Sequence, residues 1–241
     1  MIDTSLLIDY AARVGVTLSP ETAARFDLYA QRLVEWNEKM NLTAITDPYG
    51  IVVRHFTDSL TLLPHLPAGP CSLIDVGTGA GFPGIAVALC RPDIRLTLLD
   101  SLRKRLGFLE AVCDELGVPV TLIHARAEEG GRQMELREQF DVATARAVAA
   151  LPVLSEYCLP FVKVGGSFFA MKGPSYTEEL QAAKGAIRLL GGELRETQVL
   201  TLPHEEGETP ETRAILAVGK IAPTPTQYPR RTANISKSPL K

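Results

Sequence analysis

The sequence predicts an α/β fold in which a mostly parallel sheet ends in an antiparallel hairpin. Between residues 72 and 190, short apolar runs alternate with segments of helical periodicity. Such alternation is typical of a parallel sheet with helices on both faces. Two strand-like runs, 193–202 and 212–218, then follow with no room for a helix between them, which indicates a hairpin.

Composition limits the class of protein. The chain has 241 residues, 46% of them hydrophobic and 22% charged, which predicts a soluble globular protein with one large domain and an appendage. It shows neither an apolar run of transmembrane length nor a signal peptide, so we expect a cytoplasmic protein without membrane contact. Its four cysteines are widely spaced, and we therefore predict neither a metal site nor a disulfide framework.

Residues 1–66 predict an N-terminal helical extension. Ser19-Pro20-Glu21 is a plausible cap for a first long helix, and a second helix is expected from about 49 to 63. The loop Asn41-Leu42-Thr43 lies between them. A polar group in the second helix is either a solvated face or a substrate contact, and its members are Arg54, His55, Asp58 and Ser59.

Residues 67–220 predict the sheet domain. Its expected parallel strands are 73–76, 94–99, 118–123, 140–144 and 166–171. The expected helices are a short one that ends at Cys90, followed by 102–116, 131–138, 148–157 and 176–190.

Residues 221–241 predict a basic, proline-containing tail that becomes ordered on binding. The formal net charge is −3, yet the chain after Glu211 contains six basic residues and no acid. An acidic chain is a poor non-specific ligand for nucleic acid, so any RNA contact is expected to be local.

The segment 73–84, Leu-Ile-Asp-Val-Gly-Thr-Gly-Ala-Gly-Phe-Pro-Gly, is the candidate cofactor site. Read from Gly79, it matches the dinucleotide fingerprint, which sets a pyrophosphate on a helix N-terminus. Read from Asp75, it is Asp-x-Gly-x-Gly-x-Gly, and a carboxylate aimed into the pocket would repel a pyrophosphate but attract the cationic S-adenosylmethionine. A tight turn that binds nothing is the third interpretation.

Further candidates follow the other predicted strands, because ligands of open α/β sheets lie beyond the carboxyl ends of the strands. Asp100 suits ribose hydroxyls or caps the next helix, and Ala127 with Glu128 suits an adenine edge. Arg146 is a partner for a cofactor carboxylate or an RNA phosphate, or a surface arginine. Lys172 is expected to face the cleft.

Six motifs together resemble the bacterial ribosomal RNA small subunit methyltransferase G family, also called glucose-inhibited division protein B. They are Asn41-Leu42-Thr43, Arg54-His55-x-x-Asp58-Ser59, the glycine segment 75–84, Leu98-Leu99-Asp100-Ser101 with Lys104-Arg105, Ala145-Arg146-Ala147, and a tail from Pro229-Arg230-Arg231 to Ser238-Pro239-Leu240. The resemblance spans about 41–241. The tail departs from the family's glycine-lysine-proline pattern.

The resemblance implies a class I methyltransferase fold and transfer of a methyl group from S-adenosylmethionine to N7 of one guanine in the 530 loop of 16S ribosomal RNA. Whether naked RNA, a precursor or the small subunit is the substrate stays open. Cofactor contacts are expected from Asp75, Gly77, Gly79, Phe82, Asp100, Ala127, Glu128 and Arg146. RNA contacts are expected from Arg54, His55, Lys172, Arg230, Arg231 and Lys237.

The implied chemistry requires no catalytic base, because guanine N7 has a free lone pair and carries no proton. Arg146 and Lys172 are therefore candidates for positioning, and no catalytic metal is expected. Guanine N7 lies in the deep, narrow major groove of A-form RNA, so an unpaired or extruded guanine is the expected acceptor.

Three alternatives stay open at the sequence level. A methyltransferase for proteins or small molecules would share the fold but would need neither the basic tail nor the helical extension. The others are an NAD-dependent oxidoreductase and a non-catalytic RNA-binding assembly factor of the same fold.

Overall fold

A computed structural model describes residues 1–241, and a seven-stranded sheet lies at its centre. The strands are β1 Ser72–Val76, β2 Arg95–Asp100, β3 Val120–His124, β4 Phe140–Arg146, β5 Val162–Lys172, β6 Gly192–Thr201 and β7 Thr212–Lys220. Their order across the sheet is β3-β2-β1-β4-β5-β7-β6. The first five are parallel, whereas β7 runs antiparallel to both β5 and β6, which confirms the predicted terminal hairpin.

Nine helices surround this sheet. They are α1 Thr4–Arg13, α2 Pro20–Met40, α3 (48–60), α4 Gly84–Cys90, α5 Arg103–Leu116, α6 Ala127–Gly130, α7 Leu151–Cys158, α8 Tyr176–Leu189 and α9 Thr232–Lys237. Short 3₁₀ turns occur at Leu63–His65 and Leu159–Phe161. None of the helices combines the length and apolar character that crossing a bilayer requires.

The N-terminal helices pack on one face of the sheet and share its core. Ser19 caps α2 as predicted, because its hydroxyl accepts a hydrogen bond from Thr22 N. The inner face of α2 buries Phe26, Tyr29 and Leu33 in the same cluster as sheet residues. Fully burying one such side chain contributes roughly 1.5–3 kcal/mol, so this contact is a major part of the fold. The boundary at residue 66 stays a prediction.

The helix α3 is not regular. It begins as an α-helical turn, Pro48–Gly50, continues as a π-helix over Ile51–Thr57 and ends with Asp58–Leu60. Such π-helical segments are rare and occur frequently at functional sites. This one contains Arg54 and His55, two of the predicted RNA contacts.

The predicted helix over 131–138 is wrong. The helix α6 precedes it, and the chain after Gly131 forms consecutive turns, in which Gln133 N bonds to Gly130 O and Leu136 N to Gln133 O. The Gly130-Gly131 pair is a poor helix former. Arg137 donates hydrogen bonds to backbone carbonyls of the tail, so tertiary contacts fix the segment in its turns.

The expectation that the tail orders only on binding is also wrong. Tyr228 and Ile235 are buried, and residues 232–237 form α9. Arg230 makes a bidentate ion pair with the fully buried Glu156 of α7. Apolar burial and a paired charge therefore hold the tail on the protein without RNA.

Candidate functional site

Parallel register brings the predicted site residues to one edge of the sheet. Val76 is paired with Leu99, and Asp100 with His124, so the segments that follow β1, β2 and β3 are adjacent. On the other side of β1, Arg146 is paired with Met171 at the ends of β4 and β5. The residues after these strands surround two cavities.

The glycine turn after β1 takes a conformation that favours glycine. Gly77, Gly79 and Gly81 have φ values of +72°, +62° and +95°, in the left-handed region that side chains other than glycine rarely adopt. A Cβ atom on Gly77 would lie 2.9 Å from a methyl group of Val148. The absence of a side chain thus leaves space where Gly77 and Val148 line the first cavity.

Asp75 stabilises this turn through two hydrogen bonds. Its Oδ2 accepts hydrogen bonds from the hydroxyl of Thr78 at 2.7 Å and from Gly84 N at 2.9 Å. Burial raises the pKa of Asp75 to about 6, although these two hydrogen bonds oppose the shift. The expectation of a carboxylate aimed into the pocket is wrong, since Asp75 is fully buried and does not line the cavity.

The hydrogen bond from Gly84 N to Asp75 disfavours a pyrophosphate at the start of α4. Gly84 is the first residue of α4, where the dinucleotide interpretation would set a pyrophosphate. That N–H is already bonded to a carboxylate, and Ile85 N is bonded to Gly81 O. A second anion at this helix end would meet both an occupied donor and a negative charge.

The first cavity has a volume of about 290 Å³ and lies over the ends of β1, β2 and β3. Four predicted cofactor residues line it: Gly77, Asp100, Ala127 and Glu128. Asp100 is 2% exposed, and its oxygens accept hydrogen bonds from Gly79 N at 3.0 Å and Leu102 N at 2.8 Å. Arg105 Nη1 also lies 3.3 Å from Asp100 Oδ2. These contacts fix the carboxylate in place, and its unused accepting capacity is available to hydroxyl groups.

Glu128 connects this cavity to the tail. Its carboxylate is 2.9 Å from Arg126 Nε and accepts a hydrogen bond from the hydroxyl of Thr232 at the start of α9. Thr232 follows the anchoring residue Arg230 by two positions. The docked tail thus supports one wall of the first cavity.

The second cavity, of about 480 Å³, lies between α3, the ends of β4 and β5, and the start of β7. Ala147 lines both cavities. This residue has a φ of +57°, which is uncommon for alanine and typical of strained positions at functional sites. The two cavities therefore meet at a single residue of the predicted Ala145-Arg146-Ala147 motif.

Arg146 lies in the second cavity and is firmly held. Its Nη1 is 2.9 Å from Asp58 Oδ2 and 2.9 Å from the carbonyl oxygen of Arg54. The guanidinium also lies over the ring of Phe82, 5.1 Å from its centroid. Protein groups thus use several of its donors, and its predicted contact with the cofactor stays a prediction.

His55 is a neutral side chain in this arrangement. Its ring stacks on Phe82 with centroids 4.6 Å apart, and its Nε2 lies 2.9 Å from the hydroxyl oxygen of Thr43. Burial and the adjacent Arg146 guanidinium lower the pKa of His55 to about 3. Because its Nδ1 faces Arg146 Nη2 at 3.4 Å, Nδ1 accepts and Nε2 carries the proton.

Phe82 links the glycine turn to the N-terminal extension. It stacks on Tyr29 of α2 with centroids 5.1 Å apart, and the hydroxyl of Tyr29 donates to Ala80 O in the turn. Phe82 and Gly79 line neither cavity, so their cofactor contacts stay predictions. The helical extension therefore supports the turn from behind through aromatic contacts.

Ion pairs cross the second cavity. Arg54 lies 2.7 Å from Glu211, and Arg213 lies 2.7 Å from Glu211 and 3.3 Å from Asp58. Lys172 lies 2.7 Å from Glu179. Arg54, His55, Arg146 and Lys172, predicted from distant parts of the sequence, thus come together.

Sequence reasoning missed Glu179, Glu211 and Arg213 in this cavity. Glu179 is one of two consecutive glutamates on α8, Glu211 immediately precedes β7, and Arg213 is the second residue of β7. No motif distinguishes them from ordinary surface charges. They are recognised only in three dimensions, where the antiparallel pairing of β7 with β5 brings Arg213 and the adjacent Glu211 to the end of β5.

The basic tail residues lie elsewhere. Arg230 is bound to Glu156, whereas Arg231 and Lys237 are exposed. None of the three lines the second cavity, so their RNA contacts stay predictions. The structure contains no group of three or more His, Cys, Asp or Glu side chains arranged to hold a metal ion.

Comparisons with a family model and with individual relatives identify the same family. Residues 22–206 match the family model described as rRNA small subunit methyltransferase G, GidB. A ribosomal RNA small subunit methyltransferase G from Geobacillus kaustophilus is 49% identical over 94% of both chains. One from Acetivibrio thermocellus is 48% identical over 98% of this chain and 96% of its own.

Solved structures share the fold at low sequence identity. A precorrin-6y C5,15-methyltransferase from Geobacter metallireducens has a TM-score of 0.52 at 18% identity, covering 73% of this chain and 89% of its own. A mutant 16S rRNA (adenine(1408)-N(1))-methyltransferase from Catenulisporales acidiphilia has a TM-score of 0.51 at 15% identity, covering 65% and 90% respectively. The predicted class I methyltransferase fold is thus confirmed.

Proposed function

This chain belongs to the ribosomal RNA small subunit methyltransferase G family, and from that premise we propose that it transfers the methyl group of S-adenosylmethionine to N7 of a guanine in 16S ribosomal RNA. The observation that carries the proposal is the meeting of two cavities at Ala147. One has the donors and acceptors of a nucleoside site. The other is charged and large enough for a base.

The residues of the first cavity fit the cofactor. Gly77 leaves room for close approach, Asp100 offers lone pairs to the ribose hydroxyls, and Ala127 and Glu128 border the space for the adenine. Behind the turn, the Oδ1 of Asp75 is buried without a hydrogen-bond partner. Its negative charge favours a ligand with cationic groups over one with phosphates.

The chain's contribution to the reaction is alignment. When bound, S-adenosylmethionine supplies an electrophilic methyl group on a sulfonium. Guanine N7 attacks through a free lone pair, so no side chain has to remove a proton. Arg146 and Lys172 are held by Asp58 and Glu179, and they orient the base and neutralise nearby phosphate. Well-oriented reactants gain up to roughly 7–11 kcal/mol.

The acceptor cavity suits an extruded nucleotide. Four cations and three carboxylates line it, and the fixed ion pairs present donors and acceptors at defined positions. An unpaired guanine could enter this space, whereas a base in an A-form helix would keep its N7 in the narrow groove. A cytoplasmic location follows from the proposed ribosomal substrate.

The first experiment measures transfer itself. The protein is incubated with methyl-labelled S-adenosylmethionine and either protein-free 16S RNA or small subunits from cells that lack the activity, and the labelled nucleotide is mapped. We expect label at N7 of one guanine in at least one of these substrates. No label in either would favour a non-catalytic RNA-binding role and would contradict the proposal.

Calorimetric titration with S-adenosylmethionine and NAD separates the cofactor classes. We expect S-adenosylmethionine to bind and NAD not to bind, because Asp75 occupies the first N–H of α4. Binding of NAD alone would support the oxidoreductase alternative.

A further inference from the structure

The second cavity contains one carboxylate oxygen that no cation holds. Asp58 faces Arg146 with Oδ2, and its Oδ1 lies 3.3 Å from Arg213 Nε but is buried and accepts no hydrogen bond. Glu211 bonds Arg54 with Oε1 and Arg213 with Oε2. The third carboxylate, on Glu179, differs from both.

The two oxygens of Glu179 have different surroundings. Its Oε2 lies 2.7 Å from Leu151 N and 2.7 Å from Lys172 Nζ, so this oxygen is fixed at the start of α7. Its Oε1 has a single long contact, 3.3 Å from the hydroxyl of Ser175. The side chain of Glu179 is 20% exposed and lines the cavity. It thus offers a rigid carboxylate with one oxygen available.

Lys172 provides a donor beside this acceptor. An ammonium group has three N–H donors, and Lys172 uses two of them, toward Ala149 O at 2.9 Å and toward Glu179 Oε2. The remaining donor belongs to a side chain that is only 9% exposed and lines the same cavity. A free donor and a free acceptor are thus adjacent, with the ion pair fixing their separation.

Of the two purines, this pair matches the Watson–Crick edge of guanine and not that of adenine. The Watson–Crick edge of guanine has an acceptor, O6, next to two donors, N1–H and the N2 amino group. The same edge of adenine has a donor next to an acceptor. Reading guanine from this edge also leaves N7 free, as attack on a methyl group requires.

Resting on the proposed function, we infer that Glu179 and Lys172 select the acceptor base: Glu179 Oε1 accepts from N1–H and N2–H of the extruded guanine, and Lys172 Nζ donates to O6. This assigns Glu179 as a specificity-determining residue. The ligand class is a flipped guanine nucleotide of RNA.

The test combines a base analogue with a conservative variant. The analogue is 16S RNA with inosine in place of the methylated guanine, because inosine keeps O6, N1–H and N7 but lacks the N2 amino group. The variant is Glu179→Gln. In this variant the amide oxygen takes the place of Oε2, because Leu151 N and Lys172 Nζ both need an acceptor there. The amide nitrogen, which is a donor, then faces the base in place of Oε1.

We expect the wild-type protein to prefer guanine RNA over inosine RNA by about tenfold or more in kcat/KM, since loss of a hydrogen bond to a charged group has this magnitude. In Glu179→Gln the preference should fall to near one, mainly through loss of activity on guanine RNA. Glu178→Gln, on the exposed neighbour, should keep the wild-type preference.

The outcomes distinguish failure of the proposed function from failure of the recognition role of Glu179. If wild-type protein methylates neither RNA, the proposed function fails. If it methylates guanine and inosine RNA equally, or if Glu179→Gln keeps the wild-type preference, the recognition role of Glu179 is contradicted while the proposed function stands. Melting curves of the variants show whether lost activity reflects lost folding, and the wild-type comparison is decisive even if Glu179→Gln does not fold.

Discussion

Gly77 shows how one missing side chain forms a site. Its φ of +72° already disfavours any other residue, and its position on the cavity wall adds a steric reason. The neighbouring Gly79 has a similar φ of +62°, yet nothing lies within 4 Å of where its Cβ would be. Comparing substitutions at Gly77 and Gly79 therefore separates the effect of backbone strain from the effect of filling the cavity.

We predict that Gly77→Asp abolishes S-adenosylmethionine binding, because it adds a clash with Val148 and fills the space over the turn. Gly79→Ala should cost about 1–2 kcal/mol of stability through strain alone and keep measurable affinity. Calorimetry of both variants, with circular dichroism to monitor folding, is the measurement. Equal affinity in Gly77→Asp and wild type would show that the first cavity is not the cofactor site.

His55 contributes a pH dependence whose sign follows from its burial. Its pKa is about 3 in the folded protein against 6.5 for a free side chain. Between these values the unfolded chain binds a proton that the folded chain does not. The stabilising contribution is therefore complete above about pH 6.5 and is lost progressively as the pH falls toward 3.

We predict that His55→Gln reduces the slope of unfolding free energy against pH in this window by at most about 1.4 kcal/mol per pH unit. Carboxylates also titrate there, so the difference between variant and wild type is the quantity of interest. His124→Gln, which changes an exposed imidazole, is the control. Identical slopes for wild type and His55→Gln would mean that His55 is protonated in the folded state.

At the scale of elements, the tail, for which RNA binding stays a prediction, is an internal support of the fold. Arg230 pairs with the buried Glu156, and Thr232 reaches Glu128 in the first cavity. Removing the tail should therefore weaken cofactor binding as well as RNA binding. Two adjacent arginines allow the two roles to be separated.

We predict that Arg230→Ala lowers stability by about 3–5 kcal/mol, because Glu156 would be left buried and unpaired, and that it weakens S-adenosylmethionine binding several-fold. Arg231→Ala should leave stability and cofactor affinity unchanged and weaken binding to 16S RNA. Thermal melting, calorimetry and filter binding measure these quantities. Unchanged cofactor affinity in Arg230→Ala would show that the tail does not support the first cavity.

The sequence predicted the strands and the edge of the sheet where the cavities lie, because short apolar runs and strand-to-helix glycines are local signals. It placed Gly77, Asp100, Ala127 and Glu128 together correctly. It did not predict that Asp75 faces the helix end, since a buried carboxylate and a pocket carboxylate have the same local sequence. Interactions between distant segments, such as Arg137 with the tail, have no local signal.

At the scale of the whole molecule, the extension and the sheet are joined by a common core. Tyr29 of α2 stacks on Phe82 of the glycine turn with ring centroids 5.1 Å apart, and Trp36 contacts Phe108 of α5 at 5.8 Å. Trp36 is the only tryptophan, so its fluorescence reports on the extension. Circular dichroism reports on the whole chain.

We predict that both signals change in a single transition during urea unfolding. Phe26→Ala should lower the free energy of unfolding by about 3–5 kcal/mol and shift both midpoints together to lower urea. An Ala12→Ser substitution on the exposed side of α1 should leave both midpoints near their wild-type values. Two separate transitions would show that residues 1–66 form an independently folding unit.

Because Ala147 lines both cavities, a single inhibitor can be designed to occupy both. Under the proposed function, one molecule can fill both cavities, with a nucleoside head in the first and a purine-like head in the second. Joining the heads replaces two association penalties by one, so such a bisubstrate compound gains affinity without new contacts. It would also select against methyltransferases whose second cavity lacks this particular set of charges.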